Sequence, residues 1–87
     1  MLIRYSKDFS KKYNNVGDKI VEAVDKRISL FVEDKFHPLL NNHILHGEFE
    51  GCRSINITGD YRIIFRENKN GDIIFFLLLG THGELYK

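Results

Sequence analysis

Cysteine and long apolar segments are scarce in this 87-residue sequence, and each scarcity excludes a class of protein. Cys52 is the single cysteine, so no internal disulfide can form, and such cysteine usage favours a reducing cytoplasm. The longest apolar run, Ile73 to Leu79, has the length of a strand and is far too short to cross a bilayer. A secretory signal is not predicted, because the chain turns polar at Arg4. We therefore expect a cytoplasmic protein with no membrane segment.

An excess of charge of one sign is also lacking. Lysine and arginine number 13 against 12 acidic residues, which gives a formal net charge of +1. This balance neither requires nor excludes a nucleic-acid partner, because binding depends on local clusters of basic side chains. A hydrophobic content of 43% and a charged content of 29% are typical of a soluble globular protein. Without an internal repeat or linker, the sequence predicts one small domain over residues 1–87.

The first half of the sequence carries helical patterns. After a short predicted strand at Leu2–Tyr5, Ser6 can cap one helix, and Asp18 can cap a longer one with apolar residues at offsets of three and four. The second helix should end near Lys35, because Pro38 disfavours helical geometry in the residue before it. Two helices joined by a few residues should form a hairpin whose apolar stripe covers a sheet.

The second half alternates with the period of strands. In the run 53–57, Ser54 and Asn56 lie on the face opposite the isoleucines. After a turn, the next run places Arg62 on that same polar face, where it should be the cross-strand neighbour of Asn56.

The last strand should return to this polar face. Asn70-Gly71 predicts a two-residue type I′ hairpin, which sets Arg62 roughly across from Leu79 and brings His82 back towards Asp60. The patterns together predict an α+β fold, with an N-terminal helical hairpin packed on a mainly antiparallel sheet of about four strands.

Three kinds of chemistry compete for the polar residues. Zinc binding by histidines is disfavoured, because the sequence has neither a cysteine pair nor an H-E-x-x-H pattern. Nucleophilic catalysis by Cys52 is also disfavoured, since a lone cysteine in a strand is usually inert. The third is acid–base cleavage of RNA, in which histidine transfers protons, arginine offsets phosphate charge and the substrate's own 2′-hydroxyl attacks. This route needs no metal. The histidines available are His37, His43, His46 and His82.

The spacing of these residues resembles a known family. Four segments carry the resemblance: His43-Ile44-Leu45-His46-Gly47, Gly51-Cys52-Arg53, Gly59-Asp60-Tyr61-Arg62-Ile63-Ile64-Phe65 and Gly80-Thr81-His82-Gly83-Glu84-Leu85-Tyr86. They resemble the RelE/ParE toxin superfamily and are most similar to its YafQ branch. The resemblance implies a RelE-like fold, and a type II toxin that cleaves messenger RNA in the ribosomal A site without a cofactor. It also implies a cognate antitoxin as partner.

The resemblance further implies roles for individual residues. His82 is the expected general acid towards the 5′-leaving oxygen, Arg62 contacts the scissile phosphate, and Tyr86 stacks on or orients the substrate. His43 or Asp60 assists removal of the 2′-hydroxyl proton, and the choice between them stays open. The residues expected to bind substrate are His46, Arg53, Asn56 and Arg66.

This chain departs from the YafQ pattern at one position of the implied site. Asn56 stands where that branch carries a further histidine, and an amide cannot act as a general base at neutral pH. Two alternatives therefore stay open: a ParE-like toxin that binds DNA gyrase without cleaving RNA, and a catalytically degenerate toxin homologue. The feature that favours the nuclease is His82 in a G-T-H segment together with His43 and Asp60.

Overall fold

A five-stranded mixed sheet forms the framework of the computed structural model, which describes residues 1–86. The strands are β1 (Leu2–Tyr5), β2 (His43–Ile44), β3 (Arg53–Asn56), β4 (Tyr61–Glu67) and β5 (Ile73–Thr81). The helices are α1 (Lys7–Tyr13), α2 (Asp18–Glu33) and α3 (His82–Leu85), and two short 3₁₀ turns cover Pro38–Leu40 and Gly47–Phe49.

The sheet has five strands in the order β1-β5-β4-β3-β2, where about four were expected, and it is mainly antiparallel as predicted. β1 pairs in parallel with β5, whereas the other neighbouring strands are antiparallel. The fifth strand, β2, has two residues, which is too short to show alternation in the sequence. The α+β class is confirmed, and the count and the mixed pairing are the differences.

The register of the site-bearing strands was predicted correctly on one side and missed by one residue on the other. Asn56 pairs with Arg62 across β3 and β4, as expected. Across β4 and β5, Arg62 pairs with Gly80 and not with Leu79, because the register shifts between Ile64 and Phe65. The shift leaves Leu77 without a pairing partner in β4, which is the signature of a bulge.

The turn between β4 and β5 also differs from the expected type I′ hairpin. Among non-glycine residues in 1–86, only Asn41 has a positive φ, so Asn70 does not adopt the conformation that this turn requires. The loop is instead held by Asn68, whose Oδ1 accepts hydrogen bonds from the backbone N–H of Asp72 and Ile73, both at 3.0 Å. The Asn68 side chain thus adds to a backbone turn in which the Gly71 N–H donates to the Asn68 carbonyl at 3.0 Å.

The helix starts follow local capping chemistry. Ser6 caps α1 as predicted, since its hydroxyl accepts the N–H of Phe9 at 2.9 Å and donates to the carbonyl of Leu77 at the bulge. The N-cap of α2 is Gly17 and not Asp18, which is the first helical residue. The helix ends at Glu33, two positions before the expected Lys35, because the backbone at 34 is already extended.

The hydrophobic core lies between the sheet and the helices α1 and α2. One sheet face contributes alternate residues of β3, β4 and β5, and α1 and α2 cover it. The buried members of this cluster are Phe9, Val24, Phe31, Leu40, Ile55, Ile57, Ile63, Phe65, Ile74, Phe76 and Leu79. Because side chains alternate along a strand, Ser54, Asn56 and Arg62 lie on the opposite sheet face, away from α1 and α2.

Candidate active site

An open depression of about 380 Å³ lies on the polar face of the sheet. The strands β2, β3 and β4 supply its floor, and α3 with its C-cap residue supplies one wall. The lining residues are Asn41, His43, Leu45, Ser54, Asn56, Arg62, His82 and Tyr86. Four of the five residues with predicted catalytic roles are therefore in one place, together with one of the predicted substrate-binding residues.

Strand pairing accounts for the arrangement of the floor. His43 pairs with Ser54 across β2 and β3, and Asn56 pairs with Arg62 across β3 and β4. Cross-strand partners have neighbouring side chains. The sheet register alone therefore joins an imidazole, a hydroxyl, an amide and a guanidinium in one polar surface.

The guanidinium of Arg62 is fixed by the turn that precedes it. Its Nη1 donates to the carbonyl oxygens of Thr58 at 3.0 Å and Tyr61 at 2.9 Å, and its Nη2 donates to that of Gly59 at 3.2 Å. Arginine carries five N–H donors, so among these bonds the Nε–H and one Nη2–H remain for a ligand. Neutral carbonyls do not cancel the charge, and the depression keeps a fixed cation suited to a phosphate.

His82 is placed by the start of α3. Its backbone N–H donates to the carbonyl of Asp60 at 2.9 Å, which ties the helix to the β3–β4 turn as expected. The imidazole packs on Tyr86 one helical turn later, with ring centroids 4.7 Å apart. Tyr86 in turn meets Phe49 edge-on at 5.9 Å. These contacts orient both rings at the wall of the depression.

A capping box and an ion pair hold α3 itself. The Thr81 hydroxyl accepts the N–H of Glu84, whose carboxylate accepts the N–H of Thr81 at 2.8 Å. The other carboxylate oxygen of Glu84 lies 2.7 Å from Lys12 Nζ on α1. The hydrogen bond from Lys12, followed by that from the Thr81 backbone, lowers the pKa of Glu84 to about 2, and the same pair raises the pKa of Lys12.

The hydrogen bond of His43 determines which of its nitrogens faces a ligand. Nδ1 lies 2.7 Å from the carbonyl oxygen of Asn41, and a carbonyl can only accept, so Nδ1 carries the hydrogen. In the neutral ring, Nε2 is then the free base. Asn41 makes this contact from a left-handed backbone conformation, with φ at 47°. His43 is thus oriented as a proton acceptor.

Ser54 and Asn56 line the depression, and each has a buried polar atom. Within residues 1–86, neither Ser54 Oγ nor Asn56 Oδ1 has a hydrogen-bond partner, and both atoms are inaccessible from the exterior surface. Ser54 is fully buried. Sequence reasoning placed Ser54 on the correct face but gave it no role, because a serine beside an asparagine on a strand looks like ordinary exposed polarity.

The remaining predicted site residues lie outside the depression. Asp60 is exposed on the β3–β4 turn and contributes its carbonyl to His82. His46 and Arg53 line a second depression of about 420 Å³ beside Cys52. Arg66 is exposed, with Nη2 at 3.9 Å from Cys52 Sγ.

The four histidines do not form one cluster. His37 accepts the N–H of Leu39 through Nδ1 at 3.1 Å and so caps a 3₁₀ turn, and His46 lies apart from His43 and His82. Among residues 1–86, no group of three or more potential metal ligands is arranged to hold an ion. None of the helices in the described part of the chain is both long and apolar enough to cross a bilayer.

Several solved structures of bacterial toxins have this fold. YafQ from E. coli strain BL21(DE3) gives a TM-score of 0.82 at 19% identity, covering 98% of this chain and 97% of that chain. The YoeB/ParE toxin from Agrobacterium tumefaciens gives 0.78 at 20% identity, covering 94% and 99%. A metal-bound toxin from Helicobacter pylori gives 0.69 at 25% identity, covering 99% of both chains. The chain therefore shares the fold of these toxins.

The sequence itself specifies the branch. The family model described as "Bacterial toxin of type II toxin-antitoxin system, YafQ" matches residues 1–87. The chain belongs to the YafQ family of type II toxins, which confirms the resemblance read from its motifs. A search of curated protein sequences finds no significant match.

Proposed function

We propose that this toxin is a metal-independent endoribonuclease that cleaves translated messenger RNA in the ribosomal A site, in the cytoplasm. The observation that carries the proposal is the convergence of Arg62, His43 and His82 on one depression, with Tyr86 beside them. A fixed cation and two imidazoles in one depression are the groups that in-line cleavage of RNA requires. Family membership supports the same reading.

Each group has a defined place in the reaction. The Nε2 of His43 takes the proton of the 2′-hydroxyl, and the 2′-oxygen attacks phosphorus. The bond from phosphorus to the 5′-oxygen breaks, and His82 donates its proton to that leaving oxygen. The products are a 2′,3′-cyclic phosphate and a 5′-hydroxyl. His43 is preferred to Asp60 as the base, because Asp60 does not line the depression.

Arg62 and Tyr86 act on the substrate without transferring protons. The free Nε–H and Nη2–H of Arg62 stabilise the charge that develops on the phosphate oxygens, and three carbonyl contacts keep the guanidinium from having to reorganise. Tyr86 offers an aromatic face on which a base can stack.

A cognate antitoxin is the proposed protein partner. A structure related to this fold is the E. coli DinJ–YafQ toxin-antitoxin complex, with a TM-score of 0.78 at 20% identity, covering 98% of this chain and 96% of that chain. In such a system the antitoxin neutralises the toxin by covering the site or by laying a helix along an apolar groove.

Primer extension on translated messages tests the cleavage proposal. Wild-type protein added to a translating extract should create new RNA ends, and His82→Gln should create none. His37→Asn is the matched control, because His37 caps a turn outside the depression and should leave the ends unchanged. Intact RNA in the extract, with inhibition of purified gyrase, would establish the ParE-like alternative. Intact RNA, with normal growth of cells that express the protein without a partner, would establish a degenerate toxin.

A further inference from the structure

The depression has two chemically different sides. Donors dominate at β4, where Arg62 points its free N–H groups. Acceptors are found at β2 and β3, where His43, Ser54 and Asn56 line the same depression and Asn56 Oδ1 has no hydrogen-bond partner in the described chain. A ligand that matches this surface must accept hydrogen bonds on one side and donate on the other.

A phosphate group matches only one of these sides. Ionised phosphate oxygens accept and do not donate, so they fit Arg62 and the Ser54 hydroxyl but would leave Asn56 Oδ1 unpaired. Buried polar atoms in folded proteins nearly always have partners, and those of Ser54 and Asn56 have none in the described chain. The group that completes the site therefore carries a hydroxyl or amine close to a phosphate.

The ribose of RNA carries such a group. Its 2′-hydroxyl is next to the 3′-phosphate and both donates and accepts, which is the property by which proteins distinguish RNA from DNA. Asn56 Oδ1 can accept the hydroxyl hydrogen, while the Ser54 hydroxyl can donate to the 2′-oxygen. The two residues lie two positions apart on β3, share one face and line the depression. Their oxygens are covered in the free protein, so both side chains must rotate to reach the same ribose.

We propose that Ser54 and Asn56 form a ribose-reading floor that binds the 2′-hydroxyl of the nucleotide whose phosphate contacts Arg62. This inference rests on the proposed function and adds to it the residues that select RNA over DNA. Rotation about the C2′–O bond then turns the hydroxyl hydrogen from Asn56 to His43 Nε2, where it is removed. Ser54 transfers no proton in this sequence and is a specificity-determining residue.

Equilibrium binding to two matched single strands tests the floor. The probes are a fluorescent oligoribonucleotide and its 2′-deoxy counterpart, with deoxyuridine in place of uridine, and the protein is the full chain carrying His82→Gln so that the RNA stays intact. We expect this protein to bind the RNA more tightly than the deoxy strand. Adding Ser54→Ala should weaken RNA binding about three- to tenfold, the effect of one neutral hydrogen bond, and leave deoxy binding unchanged.

The ratio of the two affinities separates recognition from a structural effect. A damaged fold would weaken the binding of both probes equally, whereas loss of a ribose contact would weaken only the binding of the RNA. Asn56→Ala should lower the ratio in the same way. The matched control is Ser29→Ala, since Ser29 is exposed on α2 and should leave both affinities unchanged. An unchanged ratio in Ser54→Ala, or equal weakening of both probes, overturns the proposal.

The outcome is independent of whether the chain cleaves RNA. If the wild-type protein cleaves messages while the ratio of Ser54→Ala is unchanged, the floor is refuted and the nuclease stands. If the wild-type protein leaves RNA intact while Ser54→Ala lowers the ratio, the floor stands and the nuclease is refuted.

Discussion

Gly80 joins the sheet to the helix that carries His82, and a single methyl group there tests how closely the site depends on that junction. The residue is buried on β5, across from Arg62. A Cβ at this position would lie 3.2 Å from Leu85 Cδ2 and 3.3 Å from Glu84 Oε1, both on α3. Such distances are tighter than normal contact, so either these side chains or α3 as a whole must shift by a few tenths of an ångström.

The size of the effect follows from these contacts. Overpacking a well-filled site usually costs about 1–3 kcal/mol, and the atoms met here belong to side chains that can turn. We therefore expect Gly80→Ala to lower the free energy of unfolding by about 1 kcal/mol, or Tm by about 4–8 °C. Catalysis should suffer more, because a 1 Å misplacement of a reacting group can cost about 100-fold. A shift of a few tenths should slow cleavage roughly fivefold.

The assay pairs thermal unfolding with the rate at which new RNA ends appear below the melting range. Gly83→Ala is the control. Apart from its chain neighbours and the backbone of its own helix, no described atom would lie within 4 Å of a Cβ at this position. Alanine also favours the helix over glycine by about 0.5–1 kcal/mol. It should keep the wild-type rate. If Gly80→Ala loses stability but cleaves at the wild-type rate, the packing of α3 against β5 does not position His82.

Three further perturbations test other parts of the structure. Ser6→Ala removes both the cap of α1 and the donor to the Leu77 carbonyl, so urea unfolding should show a loss of about 1–2 kcal/mol, and an unchanged midpoint would contradict this. Because the pKa of Glu84 is about 2 in the folded chain against an ordinary 4.5, its stabilising effect is complete above about pH 4.5 and is lost as pH falls towards 2. Lys12→Met should raise the NMR titration midpoint of Glu84, and an unmoved midpoint would mean that the ion pair is not its cause. A zinc-selective chelator at constant magnesium should leave the cleavage rate unchanged, whereas a loss restored by added zinc would refute metal independence.

Local chemistry in the sequence predicted much of the fold. Alternation identified the facing strands that pair Asn56 with Arg62, and Ser6 was correctly placed as a cap, because both signals depend on nearby residues. The parallel pairing of β1 with β5 depends on residues far apart, and no local pattern records it. The bulge at Leu77 could not be predicted either, because a continuous apolar run has the same pattern with or without an extra residue.

The composition of the candidate site was predictable to a similar degree. His82 and Arg62 came together because each lies at a strand end that the register brings to the same edge. Arg53 did not join them, because its Nε donates to Asn42 Oδ1 at 2.7 Å and its guanidinium lies over the ring of Phe36. Which way a long polar side chain turns depends on such partners, and those partners come from other elements.

The pairing of β1 with β5 also determines when the toxin can first act. Leu2 meets Ile73, and the Ser6 hydroxyl reaches a carbonyl 71 positions further along the chain. A polypeptide leaving the ribosome therefore cannot close its sheet until β5 has been synthesised. His82 follows β5 in the chain, so the depression that it lines cannot be assembled before the sheet can close.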